Sequence, residues 1–112
     1  MEATNFISGI RKSVIDDNLT TYKDLFENTN QASDPYWKEA LAFFSSLNQD
    51  QRTTLYKIIR QVEVDTVSNV LGILDGTTYI DDEAVNFRLL ADGEEQPLNG
   101  ELQDIFLEME EN

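Results

Sequence analysis

The sequence of 112 residues contains no cysteine and no histidine, and each absence removes a class of chemistry. Without cysteine there can be no disulfide, no thiolate zinc site and no thiol nucleophile. Without histidine the chain lacks the commonest general base and the commonest metal ligand. We therefore expect a protein that is not an enzyme and that holds no metal and no cofactor.

Glycine and proline are also scarce, with five and two residues, and the glycines are too scattered to form a phosphate-binding loop. No apolar run approaches the roughly 20 residues that a membrane-spanning helix needs. The first residues also lack the basic region and continuous apolar run of a signal peptide. These features predict a cytoplasmic protein that does not associate with membranes.

Basic residues are few, eight against 22 acidic ones, which gives a net charge of −14. Residues 1–60 hold seven of the basic residues and eight acidic ones, whereas residues 61–112 hold Arg88 alone against 14 acidic residues. Such a field repels nucleic acid and anionic lipid and attracts basic proteins. We expect a basic protein partner, such as a toxin or a nucleic-acid-binding protein, and no direct binding of nucleic acid.

The longest regular pattern predicts one central helix from Gln49 to Leu74. Asn48 can cap its start with Gln51 three residues on, and Gly76 can take the left-handed conformation that ends a helix. The helical period predicts that one side faces the core, and we expect the second half to be buried nearly all round. The residues of this predicted core side are Leu55, Ile58, Ile59, Val62, Thr66, Val70 and Ile73.

Apolar spacing predicts four further helices. We expect two near the start, Ala3 to Ile15 and Thr21 to Glu27, separated by a break at residues 16–18. Asp34 followed by Pro35 indicates the start of the next helix, because Asp caps and proline suits the first turn. Asn99 can cap a last helix whose apolar stripe is Leu102, Ile105, Phe106 and Met109.

A change of period after Gly76 predicts a small β-hairpin. Residues 77–80 are β-prone, residues 81–83 form a polar turn, and apolar and polar residues alternate from 85 to 89. Two strands are marginal alone, so we expect the hairpin to pack on the helices. The sequence therefore predicts a single compact, mainly helical α+β domain spanning 1–112, with about five helices around one long central helix and this hairpin.

Glu63 is the most unusual single residue, because the helical period places its carboxylate inside an apolar sector. A buried carboxylate needs a partner, and Arg60 or Arg88 could supply one. The structural interpretation is an ion pair or an edge position, and the functional one is a catalytic or ligand-binding group. A similar choice applies to three aromatics: we expect Trp37 in the core, whereas Tyr36 and Phe43 lie off the main stripe and are candidate surface anchors.

The acidic residues of the second half allow two interpretations. They can be solvated side chains of a turn, a loop and a helix end, or together they can form one negative face for a basic partner. The predicted partner-binding residues are Asp75, Asp81, Asp82, Glu83, Asp92, Glu94, Glu95, Glu101, Asp104 and Glu108.

The second half also carries a resemblance to a known class. The run from Gln51 through Gly76, containing Ile-Arg-Gln-Val at 59–62 and Val-Leu-Gly-Ile-Leu-Asp-Gly at 70–76, is followed by Leu-Asn-Gly-Glu-Leu-Gln-Asp at 98–104. This pattern resembles small uncharacterised bacterial proteins of the toxin-immunity type. The resemblance implies an inhibitor of a secreted toxin and transfers no functional residue.

Two functional hypotheses follow. The first is a small acidic inhibitor, most plausibly an immunity protein that neutralises a basic toxin such as a nuclease, or a DNA mimic that acts on a DNA-binding protein. The alternative is a non-enzymatic regulatory or structural module that self-associates through apolar helix faces, for example as a homodimer. An enzyme that uses Glu63 with Arg60 or Arg88 is the least favoured reading.

Overall fold

The computed structural model describes residues 1–111, and this part of the chain contains four helices and no strand. The first helix, α1, is continuous over residues 3–28 and consists of α-helix Ala3–Ile10, a π-helical segment Arg11–Asp16 and α-helix Asp17–Asn28. Helix α2 spans Pro35–Ser45, α3 spans Gln49–Asp75 and α4 spans Leu102–Glu111. The molecule is elongated, with extents of 50 × 30 × 27 Å.

The ends of α3 lie where the sequence predicts them, within one residue. The Asn48 side chain accepts a hydrogen bond from the Gln51 backbone N–H at 2.8 Å, and the Gln51 side chain accepts one from the Asn48 backbone N–H at 2.9 Å. This reciprocal capping box satisfies two amide groups that a helix start otherwise leaves unpaired. Gly76 ends the helix in the left-handed conformation, with φ of 82°.

Helix α2 also begins as expected, with the Asp34 carboxylate accepting from the Tyr36 N–H at 2.8 Å. The predicted break at residues 16–18 is wrong, because all three residues are helical. In a regular α-helix Ile7 and Ile15 would point about 80° apart. The π-helical segment between them winds less per residue, and both side chains are fully buried in the same core.

The predicted core side of α3 is also wrong. The side that is covered carries Val64, Ser68, Leu71 and Gly72. Three residues expected in the core are mostly exposed: Ile58 by 56%, Val62 by 58% and Val70 by 52%. Helices α1 and α4 cover the opposite side of α3, so the second half of the helix is not buried all round.

The predicted β-hairpin is wrong, and the fold of the described residues is helical rather than α+β. Only an isolated bridge joins Ile80 and Glu83 around a tight turn. The backbone N–H groups of Thr77 and Thr78 donate to the Gly72 carbonyl at 2.9 and 3.2 Å, at the end of α3. These two donors are therefore not available to a strand at residues 77–78, and residues 77–80 form no ladder with residues 85–89.

Residues 76–101 are instead tied down by the side chain of Asn99. Its amide nitrogen donates to the Leu74 carbonyl at 2.6 Å and to the Phe87 carbonyl at 2.7 Å, and its oxygen accepts from the Leu89 N–H at 2.8 Å. Asn99 thus joins the connection to the end of α3. Asn99 was expected to cap α4, and this prediction is wrong.

Helix α4 runs antiparallel to α3. The side-chain amide of Gln103, in the first turn of α4, donates to the Ser68 carbonyl of α3 at 3.0 Å, and Glu110 near the end of α4 contacts Arg60 of α3. The predicted apolar stripe of α4 does face the core, because Leu102 and Phe106 are fully buried and Ile105 and Met109 pack against them. Its start, and with it residues 76–101, therefore lies at the end of the molecule where α3 terminates.

Candidate functional site

The first candidate site is the end of the molecule formed by residues 76–101 and the start of α4, which we call the acidic end. Most of the predicted partner-binding residues lie here with exposed side chains. The opposite end is formed by the second part of α1, by α2 and by the first half of α3, and residues 17–60 carry five basic and six acidic residues. Folding therefore preserves, along the long axis of the molecule, the charge asymmetry of the sequence.

Three of the predicted partner-binding residues have contacts within the chain. The Asp75 carboxylate accepts from the backbone N–H groups of Gly100 at 2.7 Å and Gln103 at 2.8 Å. Asp75 therefore caps the start of α4, the role that was expected of Asn99. Glu94 forms an ion pair with the amino group of Met1. Glu108 also has an interaction within the chain.

The other predicted partner-binding residues are all exposed, and within residues 1–111 none of their carboxylates forms an ion pair. Arg88 is the one basic residue of residues 76–101, and its guanidinium donates to the Glu95 backbone carbonyl at 3.3 Å rather than to a carboxylate. The acidic end therefore keeps an excess of negative charge facing solvent. These exposed carboxylates are Asp81, Asp82, Glu83, Asp92, Glu95, Glu101 and Asp104.

The turn that carries Asp81 and Asp82 has an unusual backbone. Their φ angles are 49° and 62°, in the left-handed region that aspartate tolerates better than most residues. Two successive positive φ values are typical of a type I′ turn, in which asparagine and glycine are common. The turn therefore projects two adjacent carboxylates from the acidic end.

The second candidate site is a charge cluster between α1, α3 and α4. Glu110 accepts from the two terminal guanidinium nitrogens of Arg60, at 2.8 and 3.2 Å, and forms a second ion pair with Arg11 at 3.0 Å. These hydrogen bonds, the one from Arg60 above all, hold the pKa of the Glu110 carboxyl below its usual range. Glu110 is not among the predicted site residues, because its pairing joins residues that lie far apart in the chain.

Glu63 lies beside this cluster but does not join it. Its Oε2 atom is buried and has no hydrogen-bond partner among the described residues. Burial raises the pKa of the Glu63 carboxyl, nearby Arg60 lowers it by a smaller effect, and Asp16 raises it. Arg60 makes its hydrogen bonds to Glu110, and Arg88 lies in the acidic end, so neither arginine forms the ion pair that was one alternative for Glu63. Its partly exposed side chain corresponds to the other alternative, an edge position.

The third candidate is an exposed apolar surface on α3, which we call the outer ridge. It consists of six aliphatic side chains on one side of the helix: Leu55, Ile58, Ile59, Val62, Val70 and Ile73. Ile58, Val62 and Val70 are exposed and the other three are half-buried, and Val70 also borders a groove against α1. Beyond its first residues lie the exposed aromatics Tyr36 and Phe43 of α2. Exposed apolar side chains on one helix face occur at protein interaction sites, although the polar Thr66 lies between Val62 and Val70 here.

Aromatic side chains hold α2 against the other helices. Phe26 stacks on Phe44 with ring centroids 4.8 Å apart and contacts Trp37 edge-on at 6.0 Å. The Tyr56 hydroxyl donates to Glu27 at 3.0 Å, and burial, followed by this bond, raises the pKa of Tyr56 to about 12. This aromatic cluster includes Trp37, which is half-buried and lies outside the buried core in which it was expected.

Residues 1–111 contain no cluster of potential metal ligands and no helix suited to crossing a membrane. No group of three or more acidic residues in that range is placed to hold a metal ion. No helix in the described range is long and apolar enough to cross a bilayer.

Comparisons with protein-family models, with curated proteins and with solved structures found no match for this chain. The fold and the three candidate sites therefore define it as an elongated four-helix protein, over the residues described, with an acidic end and an exposed apolar ridge.

Proposed function

We propose that this chain is a protein-binding inhibitor that captures a basic protein partner with its acidic end. The observation that carries this proposal is the group of seven exposed carboxylates at one end of an elongated molecule, without ion pairs among the described residues. Concentrated negative potential accelerates encounter with a positive surface and orients it. The cytoplasm is the compartment we propose for this capture.

Proteins that bind nucleic acid present lysine and arginine to phosphates, so an acidic protein surface can bind the same lysine and arginine side chains. A basic toxin such as a nuclease, with this chain as its immunity protein, is the partner class we favour. A DNA-binding protein, for which this chain would act as a DNA mimic, is the other member of the same class. In both cases the inhibitor blocks the positively charged surface and needs no chemistry of its own.

The test uses two triple variants that remove the same amount of negative charge. Asp81→Asn, Asp82→Asn and Glu95→Gln neutralise the acidic end, and asparagine suits the left-handed turn. The control variant neutralises exposed residues elsewhere on α2 and α3: Glu39→Gln, Asp50→Asn and Asp65→Asn.

Immobilised wild-type chain is used to capture proteins from a bacterial lysate, and each captured protein is purified and its Kd measured by calorimetry at low and high salt. We expect a basic partner whose affinity falls with salt, a loss of about 10-fold or more in the acidic-end variant and little change in the control. Partners that are not basic, or equal losses in the two variants, would contradict the proposal.

A further inference from the structure

Asn99 and Gly100 form the one pair in the sequence in which asparagine is followed by glycine. An asparagine side chain can lose its amide when the backbone nitrogen of the next residue attacks it. Glycine favours this attack, because it has no Cβ to obstruct the nitrogen and its backbone adopts conformations that other residues avoid. The pair therefore has the composition needed for intramolecular deamidation, and the fold decides whether the reaction can occur.

The reaction at this pair consumes one water and releases ammonia. The Gly100 nitrogen gives up its proton and forms a bond to Cγ of Asn99, while the bond from Cγ to Nδ2 breaks and ammonia leaves with that proton. Water then adds to one of the two carbonyl carbons of the cyclic imide, the bond from that carbon to the Gly100 nitrogen breaks, and a proton returns to the nitrogen. Position 99 is left as aspartate or isoaspartate, and the proton of the new carboxyl group passes to the ammonia.

The fold holds the Asn99 side chain in place with three hydrogen bonds. Its amide nitrogen donates to the carbonyls of Leu74 and Phe87 at 2.6 and 2.7 Å. Its oxygen accepts from the Leu89 N–H at 2.8 Å. Both amide hydrogens are therefore used, and the side chain can rotate into position for attack by the Gly100 nitrogen only after these bonds break.

The nitrogen that must attack is held as well. The Gly100 N–H donates to the Asp75 carboxylate at 2.7 Å. Losing its proton would leave a negative nitrogen beside a negative carboxylate, and like charges disfavour that form. The folded chain therefore protects the pair, whereas an opening of residues 76–101 removes the contacts of Asn99 and Gly100 together.

The product lacks the group that the fold uses. A carboxylate has no hydrogen to donate, so it cannot remake the bonds to the carbonyls of Leu74 and Phe87. We propose that Asn99–Gly100 is a site of deamidation that the fold keeps closed, that reacts when residues 76–101 open, and that then holds them open. This proposal does not depend on the capture of a basic protein, because it concerns bonds within the chain.

The first experiment measures the rate of conversion at position 99 by peptide mass spectrometry at neutral pH, in the folded chain and in the chain unfolded by urea. We expect the folded chain to react at least about 10-fold more slowly, because the reaction waits for an opening that costs free energy. A synthetic peptide of residues 96–102, measured with and without urea, corrects for the effect of urea on the reaction itself. Equal corrected rates in the two states, or no conversion in the unfolded chain, overturn the proposal.

The second experiment tests whether the opening is local. Asp75→Ala removes the acceptor of the Gly100 N–H, and we expect it to speed conversion in the folded chain by about 5-fold or more. Glu110→Gln removes contacts near the other end of α4 and is the matched control, expected to leave the rate within about 2-fold of the wild type. An unchanged rate in Asp75→Ala, or equal acceleration in the two variants, contradicts protection by the local contacts.

The third experiment tests whether the modified segment stays open. Chain that has reacted in urea is returned to buffer, and anion exchange separates the chain modified at position 99 from unmodified chain with the same history. We expect the modified chain to keep its helical circular dichroism and to be cut by a protease of low specificity at least about 10-fold faster within residues 76–101. Equal rates of cutting, or loss of the helices throughout the modified chain, overturn the proposal.

Discussion

Arg60 and Glu110, which are 50 residues apart in the sequence, form a two-point ion pair with N–O distances of 2.8 and 3.2 Å. Arg11 approaches the same carboxylate from α1 at 3.0 Å. One acidic side chain from α4 therefore joins three helices. The Glu110 side chain is only 15% exposed, so removing it leaves two arginines without their partner in a partly desolvated place.

We expect Glu110→Gln to lower the free energy of unfolding by about 1–3 kcal/mol, because two charge-assisted contacts are lost. Urea denaturation at pH 7 measures this change. Glu111→Gln, an exposed neighbour with the same change of charge, is the control and is expected to stay within about 0.5 kcal/mol of the wild type. Equal unfolding midpoints for the two variants would argue against a structural role for Glu110.

The ion pair also predicts a dependence on pH. Because folding lowers the pKa of Glu110, its contribution to stability is present above the pKa of an ordinary carboxyl group and is lost as the pH falls through the lowered value. The difference in unfolding free energy between wild type and Glu110→Gln should therefore shrink in acid. Denaturation curves of both proteins from pH 7 down to pH 3 measure it, and a constant difference would be the contrary result.

Glu63 makes the opposite prediction. Folding raises the pKa of this carboxyl, so its protonated form is favoured in the folded chain, and the stability it gives in acid is lost as the pH rises through the raised value. We expect Glu63→Gln to increase the free energy of unfolding at pH 7 by about 1 kcal/mol, since it removes a poorly solvated charge. Asp65→Asn, at an exposed position on the same helix, is the control, and a loss of stability in Glu63→Gln would show that the charge has a partner.

Asp75 gives a prediction about the start of α4. Its carboxylate accepts from the Gly100 and Gln103 amides, so Asp75→Ala should cost about 1–2 kcal/mol, as loss of a helix cap does. Asp75→Asn keeps one acceptor and should cost less. Urea denaturation measures both variants, and amide hydrogen exchange should become faster at Gln103. Unchanged exchange there would indicate that the cap contributes nothing.

The contacts of Asn99 allow a prediction about Asn99→Asp, which replaces the amide nitrogen by an oxygen. Its amide nitrogen donates to two carbonyls, and Asn99→Asp would place a carboxylate oxygen against both of them. We expect a loss of about 2–3 kcal/mol and faster proteolysis within residues 76–101. Asn86→Asp, an exposed substitution of the same chemistry in the same segment, serves as the control. Equal rates of proteolysis would mean that Asn99 does not hold the segment.

The sequence by itself determined the features that depend on neighbouring residues. The caps of α3 at Asn48 and Gly76, the start of α2 at Asp34 and the apolar stripe of α4 all lie within a few residues of the atoms that produce them. The charge asymmetry between the two halves of the chain is also set by the order of the charged residues in the sequence. These features were confirmed because local backbone hydrogen bonding and side-chain spacing decide them.

Only the tertiary structure decided which side of α3 is buried, because the helical period favours the side of Val62 while the other side, which also carries aliphatic residues, is the one that the other helices cover. Ser68 and Gly72 are small, and Gln103 of α4 and Thr78 approach them closely, so α4 packs on that side and leaves Val62 exposed. The expected hairpin is replaced by a local contact, in which the Gly72 carbonyl accepts from the amides of Thr77 and Thr78, and by the longer-range bonds of Asn99 to the backbone. The partner of Glu110 was likewise decided by long-range packing, which no local pattern records.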